Sequence, residues 1–310
     1  MGGPMVVINS LQVRYGSQLA LSIEEQITFE EGDRIGIIGS NGAGKTTLVK
    51  SILGLTNYQG SIVTGLKPEE IAVHLQQNHY VNTMAVKHII ETVLDTSIKK
   101  NKQLQELIAF FDFEGCLNKR YSALSGGQKQ RLTIILVLIQ DAPLVFFDEV
   151  TSGLDFETRQ KLMSKMGEWY RHKTSTLCIV SHYYEELEYL VNKILILEAG
   201  RVVDYGCKDE LFRKHCGKTV ITVDNNERNR ELTQHLRRLE APEHLIALSC
   251  QNSQLEREIT ELLIREDINY KRSNNDIEIM SINAKASFRD SLKSGKHENG
   301  EGGRRNAETV

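Results

Sequence analysis

A glycine-rich segment between an apolar strand and a helix constrains the fold of this chain more than any other feature. Its sequence, G-S-N-G-A-G-K-T-T, matches the pattern G-x-x-x-x-G-K-[ST]. The residues before it, Arg34–Ile38, predict a short and mostly apolar strand, and Thr46–Leu55 after it predict a helix. Further strands alternate with helices along the chain, which predicts an α/β domain with a largely parallel sheet.

The residues of this segment predict a nucleotide site. Glycines let the backbone wrap closely round an anion, and the loop N–H groups and the helix N-terminus point at the β-phosphate. We expect Lys45 to bind the β- and γ-phosphates and the Thr46 hydroxyl to bind Mg²⁺. The predicted ATP-binding residues of the segment are Gly39, Ser40, Asn41, Gly42, Ala43, Gly44, Lys45, Thr46 and Thr47.

A second apolar strand, Leu144–Asp148, ends in two carboxylates, those of Asp148 and Glu149. Neighbouring strand side chains point to opposite faces, so these two carboxylates are expected to do different jobs. Asp148 would hold Mg²⁺ through its water shell, and Glu149 would polarise the attacking water as a general base. Acidic residues that merely end a strand are the alternative interpretation. Together with the glycine-rich loop, this strand predicts a P-loop ATPase.

A third segment, L-S-G-G-Q-K-Q-R at residues 124–131, indicates which class of P-loop ATPase this chain resembles. Its adjacent glycines open a helix and predict a second anion-binding nest, which a chain with one P-loop does not need for itself. This segment, then Asp148-Glu149, then T-S-G-L-D at 151–155, resembles the signature, Walker B and D-loop series of ATP-binding-cassette (ABC) ATPases. The resemblance covers residues from about 5 to 217.

The resemblance implies roles for three more residues. Tyr15 stands where the family places an aromatic ring against adenine. Gln76 stands in the Q-loop, where it would sense Mg²⁺ and the attacking water, although Gln77 is adjacent. His182 follows a strand as the switch histidine does, within reach of the γ-phosphate. A purely structural role remains the alternative for Tyr15 and for His182.

The resemblance also implies a dimer of two cassettes that face each other head to tail. ATP would lie between Lys45 of one copy and the signature of the other, while Asp155 marks the D-loop. The signature residues are Ser125, Gly126, Gly127 and Gln128. The sequence departs from the common family pattern at Val150 and Ser40, where proline is usual, and neither change removes a reacting group.

Composition sets outer limits on function. The chain has 310 residues, of which 40% are hydrophobic and 25% charged, as in ordinary globular proteins. Its formal net charge of −3 gives no reason to expect a nucleic-acid partner. Five scattered cysteines are typical of reduced thiols in the cytosol. No run approaches the roughly 18 apolar residues of a membrane helix, so a membrane role would need a partner.

The chain is expected to contain three parts. Residues 1–217 would form the ABC ATPase domain, with a mixed sheet core, an antiparallel β-subdomain and an inserted helical subdomain at about 78–135. Residues 218–283 would form a small α+β accessory domain, with a helix over Arg228–Leu239 and a strand over Ile277–Ile282. Residues 284–310 are poor in apolar side chains and predict a flexible charged tail.

We therefore predict the ATP-hydrolysing subunit of an ABC transporter, of a type that resembles bacterial drug- and peptide-export ATPases. It would use ATP and Mg²⁺, pair with a second ATPase subunit as a homodimer, and act on a separate integral membrane permease. That permease would hold it at the cytoplasmic face of the cell membrane. The alternative is a non-transport ABC ATPase that acts on ribosomes or nucleic acid. Translation-associated members, however, normally carry two cassettes, and chromosome-maintenance members carry a long coiled coil between their motifs.

Overall fold

A computed structural model describes residues 3–74 and 80–301 of the chain. The chain divides into two compact units, Met1–Val202 and Val203–Val310, so the division falls before the boundary predicted at residue 217.

The described strands are β1 (Pro4–Tyr15), β2 (Gln18–Ile23), β3 (Ile27–Glu30), β4 (Arg34–Gly39), β5 (Gln59–Thr64), β6 (Ile71–His74), β7 (Leu144–Asp148), β8 (Thr176–Val180), β9 (Lys193–Glu198), β10 (Arg201–Cys207), β11 (Thr219–Asp224), β12 (Arg238–Leu239), β13 (Leu245–Cys250) and β14 (Tyr270–Ser273). The described helices are α1 (Lys45–Ile52), α2 (Val86–Val93), α3 (Lys102–Phe110), α4 (Gly126–Leu138), α5 (Phe156–Tyr170), α6 (Tyr184–Leu190), α7 (Lys208–Cys216), α8 (Glu227–Leu232), α9 (Ser253–Arg265) and α10 (Ile277–Glu301).

The first ten strands form one mixed sheet in the order β3-β1-β2-β10-β9-β4-β8-β7-β6, with β5 paired to β1. Strands β9, β4, β8, β7 and β6 run parallel, whereas β1 pairs antiparallel with β2, β3 and β5. Helices α2 and α3 lie between β6 and α4 in the chain. The predicted α/β class is therefore confirmed, including its antiparallel part and its helical insertion.

Burial follows the pattern that this topology requires. Every residue of β7 and β8 is buried, as expected of parallel strands covered on both faces. In the helical insertion, apolar side chains are buried at Ile89 and Ile90 of α2 and at Leu104 of α3. Val93 is the last residue of α2 and remains 52% exposed.

Two parts of the sheet differ from the sequence prediction. Leu19–Phe29 reads as one alternating strand, but the exposed residues 24–26 break it into β2 and β3. Strand β10 was not predicted, because its alternation is interrupted by Asp204 and Gly206. Its pairing of Arg201 with Ser22 of β2 joins segments that are far apart in sequence.

The second unit contains a four-stranded antiparallel sheet in the order β12-β13-β11-β14. Its elements follow in the sequence β11-α8-β12-β13-α9-β14, which is the β-α-β-β-α-β arrangement. Alternate residues of β11 and β13 pack against α9 in a core of Ile221, Val223, Ile246, Leu248, Cys250, Ile259 and Leu263. Helix α7 packs against β11 and α10. The predicted small α+β appendage is confirmed as an architecture.

Several local predictions in this unit were wrong. The helix predicted over Arg228–Leu239 ends at Leu232, and the strand β12 follows it. The predicted strand over Ile277–Ile282 is the start of α10, and this helix continues through residues predicted as flexible tail up to Glu301. The Asp276 carboxylate accepts a hydrogen bond from the Ile279 amide at 3.0 Å and so caps the helix. Residues 302–310 lie outside the described residues.

In the described ranges, no helix is both long enough and apolar enough to cross a membrane.

Candidate active site

A cavity of about 800 Å³ opens in the first unit, where β4, β7 and β8 end. Because these strands are parallel, their carboxyl ends meet at one edge of the sheet, the usual place for a ligand in an open α/β fold. Its walls include the glycine-rich segment from Asn41 to Thr47, with Glu149 and His182. Residues from the first and the second predicted motif therefore come together as expected.

The glycine-rich loop has the backbone geometry of an anion cradle. Gly42 and Gly44 have φ values of 78° and 100°, a left-handed region that favours glycine. A methyl group on Gly44 would also lie 2.9 Å from the Ala20 carbonyl oxygen, closer than packed atoms allow. Helix α1 begins at the next residue, so its N-terminal N–H groups face the cavity that the loop encloses.

Lys45 lies at the base of this loop and is only 6% exposed. Its ammonium donates hydrogen bonds to the Gly39 carbonyl oxygen at 2.8 Å and to the Ser40 carbonyl oxygen at 3.1 Å. Both acceptors are uncharged, and a phosphate oxygen is a stronger partner for an ammonium group. The two carbonyls thus hold the charge in place for an incoming phosphate.

A hydroxyl and a carboxylate meet beside the loop in an arrangement that fits Mg²⁺. The Thr46 hydroxyl donates to Asp148 Oδ2 at 3.0 Å, and burial raises the pKa of Asp148 above its ordinary value. Hard oxygen ligands of this kind suit Mg²⁺, which proteins often hold by one or two carboxylates together with substrate phosphates. No cluster of three or more acidic, histidine or cysteine side chains that could hold a metal occurs among the described residues. The donors present therefore fit a metal that arrives with a nucleotide.

Glu149 and His182, which both line the cavity, are in direct contact. His182 Nε2 lies 2.7 Å from Glu149 Oε1. The Glu149 amide donates to the Val180 carbonyl oxygen at 2.9 Å, which ties the end of β7 to the end of β8. Glu149 has a φ of 51°, a left-handed conformation that costs a residue other than glycine about 1–3 kcal/mol. The fold bears this strain where it directs the carboxylate into the cavity.

The signature residues lie elsewhere, at the N-terminus of α4. The Ser125 hydroxyl accepts from the Gln128 amide at 3.3 Å, and the Gln128 side chain accepts from the Ser125 amide at 3.1 Å. These two bonds form a capping box, and they leave Gly126 and Gly127 at the first turn of the helix. None of the four residues lines the cavity described above. Their predicted contact with the nucleotide of a partner copy stays a prediction.

Two other predicted residues have different outcomes. Asp155 caps α5, because its carboxylate accepts from the Thr158 amide at 2.9 Å and from the Thr158 hydroxyl at 2.7 Å. Gln76 lies outside the described residues, and its predicted roles toward Mg²⁺ and water stay predictions. Tyr15 lines the cavity and is 51% exposed, so its predicted contact with adenine stays a prediction.

Sequence reasoning missed part of the cavity wall. The missed residues are Gln18, Leu19, Ala20, Ser152, Ala199 and Gly200. Ser152 lies three residues after Glu149, and the other five reach the cavity where β2 meets the turn between β9 and β10, because the Ser22 amide donates to the Gly200 carbonyl oxygen at 2.6 Å. Gly200 has a φ of 76°, so the glycine in the turn between β9 and β10 was the one signal in the sequence for this wall.

Changing Gly39 to alanine is expected to destabilise the first unit. A methyl group there would overlap the Leu197 carbonyl oxygen and lie 2.9 Å from the Ala43 Cβ atom. The free energy of unfolding should fall by about 1–3 kcal/mol because neither neighbour is a flexible side-chain end. Denaturant titration measures this, with Gly65→Ala as the matched control, since nothing lies within 4 Å of a Cβ atom at Gly65. Equal stability of the two variants would contradict the packing described.

Comparison with known proteins gives a consistent set of relatives. Residues 24–152 match the family model described as ABC transporter. The methionine import ATP-binding protein MetN of Corynebacterium diphtheriae is 30% identical over 204 residues, which are 60% of this chain and 60% of that protein. The Nod factor export ATP-binding protein I of Rhizobium johnstonii is 28% identical over 243 residues, which are 73% of this chain and 78% of that protein. The chain thus spans about 60% of the length of the methionine import protein that it matches.

Solved structures agree on the fold. An ATP-binding subunit of an ABC transporter superimposes with a TM-score of 0.61 at 23% identity, over 68% of this chain and 92% of that one. A bacterial ABC transporter cassette solved as a dimer superimposes with a TM-score of 0.59 at 20% identity, over 66% of this chain and 98% of that one. At these identities the likeness is one of architecture.

Proposed function

We propose that this chain is the ATP-binding and ATP-hydrolysing subunit of a transporter whose membrane-spanning part is a separate protein. The premise is that the chain belongs to the ABC ATPase family, which hydrolyses ATP. The observation that carries the proposal is the cavity in which a phosphate cradle faces a carboxylate–histidine pair. Release of phosphate from ATP by the purified chain in the presence of Mg²⁺ tests it. A folded chain that binds ATP without turnover would contradict the hydrolytic part.

Each residue of the cavity has a task in this proposal. The loop N–H groups and Lys45 bind the phosphates, and the aromatic ring of Tyr15 takes the adenine. Mg²⁺, held by Thr46 and Asp148, would neutralise charge on the β- and γ-phosphates. Glu149 accepts the proton of the attacking water. His182 orients Glu149 through their 2.7 Å contact and reaches toward the γ-phosphate.

Two copies of the chain are proposed to close on ATP head to tail. The support is the first turn of α4, where Ser125 to Gln128 form a second helix N-terminus that the chain's own cavity does not use. A related fold was solved as a dimeric cassette. In such a pair, Ser125 of one copy would contact the γ-phosphate held by Lys45 of the other.

The Glu149→Gln chain is expected to sediment as a dimer in ATP with Mg²⁺, at twice the 35.1 kDa mass of the single chain. The nucleotide that links the copies is no longer removed in this variant, so the closed state accumulates. Adding Ser125→Arg should return the mass to that of one chain, since a bulky side chain then blocks the second cradle. Ser122→Arg is the matched control, because Ser122 is also exposed and lies three residues earlier. Dimers that survive Ser125→Arg would contradict the head-to-tail arrangement.

The partner is proposed to be an integral membrane permease that holds the chain at the inner face of the cell membrane, and the direction is proposed to be export. Relatives of both directions match, the methionine import proteins among them, and the support for export is that one Nod factor export protein matches over 243 residues, 73% of this chain. The second candidate function is action on ribosomes or nucleic acid. Nucleic-acid binding usually relies on an excess of basic residues, and this chain has a formal net charge of −3.

A further inference from the structure

A buried carboxylate lies beneath the two loops that carry Glu149 and His182. It belongs to Glu186 of α6, which is only 4% exposed. Its Oε2 atom accepts a hydrogen bond from the Thr151 hydroxyl at 3.1 Å and another from the Ser181 hydroxyl at 3.0 Å. One oxygen atom therefore joins the segment after β7 to the segment after β8.

The second oxygen of this carboxylate faces a guanidinium group. Arg159 Nε lies 3.3 Å from Glu186 Oε1, at an angle that makes an ion pair and not a hydrogen bond. The same guanidinium lies over the ring of Tyr183, with its central carbon 3.7 Å from the ring centroid. Burial raises the pKa of Glu186, while the two hydroxyls and Arg159 favour its charged form. We call Glu186, Thr151, Ser181 and Arg159 the Glu186 clamp.

The clamp reaches both members of the catalytic pair through the chain. Thr151 lies two residues after Glu149, and Ser181 immediately precedes His182. The Ser181 hydroxyl also accepts from the Tyr183 amide at 3.0 Å, so it fixes the backbone on both sides of His182. Neither Glu149 nor His182 touches Glu186 in the contacts that define the clamp, so its effect on them is indirect.

Packing alone gives little reason for a carboxylate at this position. A buried ion pair is often no more stabilising than apolar side chains of similar volume, whereas a polar group with several partners fixes one geometry. The catalytic pair, Glu149 and His182, requires a fixed backbone position. Glu149 has a left-handed backbone conformation, and its carboxylate lies 2.7 Å from the His182 imidazole. Misplacement of a catalytic group by about 1 Å can lower a rate about 100-fold.

We propose that Glu186 is a positioning residue, which holds the loops of Glu149 and His182 at the separation that their hydrogen bond requires. The proposal rests on the proposed function, in that it assigns Glu149 and His182 to ATP hydrolysis. Glu186 itself contacts neither nucleotide nor water in this role. It acts through the Thr151 and Ser181 hydroxyls.

Glu186→Ala is expected to lower kcat between about 10- and 100-fold and to change the Kd for ATP less than about threefold. Glu186→Gln keeps an oxygen that can accept from both hydroxyls, so it should recover part of kcat. Glu185→Ala is the matched control, because that carboxylate is the adjacent residue of α6 and is exposed. Adding Thr151→Ala to Glu186→Ala should lower kcat no further, since the Thr151 hydroxyl has already lost its contact with Glu186. Thermal unfolding sets a temperature at which every variant is folded.

A readout that does not need turnover separates this proposal from the proposed function. The ¹⁵N imidazole signals of His182, assigned with His182→Gln, should shift in Glu186→Ala and stay in place in Glu185→Ala. If the wild-type chain released no phosphate from ATP, the proposed function would be wrong. The imidazole signals would still decide whether the Glu186 clamp positions His182 against Glu149. Unchanged kcat and unchanged His182 signals in a folded Glu186→Ala chain would overturn the clamp. A loss confined to thermal stability would overturn it as well.

Discussion

Glutamine at position 149 is expected to abolish ATP turnover and leave ATP bound. The change keeps the size and the hydrogen-bonding oxygen of the side chain, so the contact with His182 survives. It removes the group that accepts the proton of the attacking water, and removal of a general base typically costs about 10²–10⁴-fold in rate. The phosphate cradle lies on other residues, from Asn41 to Thr47, and is unaffected.

Phosphate release and ATP affinity, measured on the same preparation, check this expectation. Glu157→Gln is the matched control, since that glutamate is exposed on α5 and lies outside the cavity. The control should keep the wild-type rate. Wild-type turnover by Glu149→Gln would take Glu149 out of its role as the base.

Alanine at position 45 is expected to weaken nucleotide binding as well as turnover. The ammonium of Lys45 is held at the base of the loop by the Gly39 and Ser40 carbonyls, and the residue is 6% exposed. Without it, the phosphates lose their charged partner in a cavity lined by the Glu149 carboxylate, and the Asp148 carboxylate lies close by on Thr46. Loss of one such electrostatic contact commonly costs about 10²–10³-fold in rate. The Kd for ATP should rise at least about tenfold, because the contact is present before the reaction begins.

Calorimetric titration with ATP measures this loss. Lys50→Ala is the matched control, because Lys50 is an exposed lysine of the same helix. It should bind ATP as the wild type does. If Lys45→Ala and Lys50→Ala bound ATP equally well, the cavity would not be the nucleotide site.

The residues around the phosphate cradle could be predicted because their geometry is set locally. Left-handed glycines, a strand before them and a helix after them lie within one short stretch, and Lys45 and Thr46 take their places from that turn. The same holds for Asp148 and Glu149, which end a strand buried along its whole length. The contact of Asp148 with Thr46 follows from the parallel arrangement of β4 and β7 in one sheet.

The remaining features depend on contacts between distant segments. Ala20 and Gly200 reach the cavity only after β2 and β10 have paired. The clamp at Glu186 depends on the packing of α6 against α5, which no spacing in the sequence reveals. At Ile277–Ile282 the apolar residues fit a strand as well as a helix, and the helix is decided by the cap at Asp276 and by the burial of Ile277, Met280 and Ala284.

The central claim, that this chain drives a separate membrane permease, is tested most directly in the cells that make it. The tagged Glu149→Gln chain is expressed there, the membranes are solubilised with ATP and Mg²⁺ present, and the proteins that co-purify are identified. Lys45→Ala serves as the control, since it should not form the ATP-bound dimer. The account predicts a polytopic membrane protein in stoichiometric amount with Glu149→Gln. Ribosomes, nucleic acid or the ATP-bound dimer alone would contradict the transport function and leave the ATPase assignment standing.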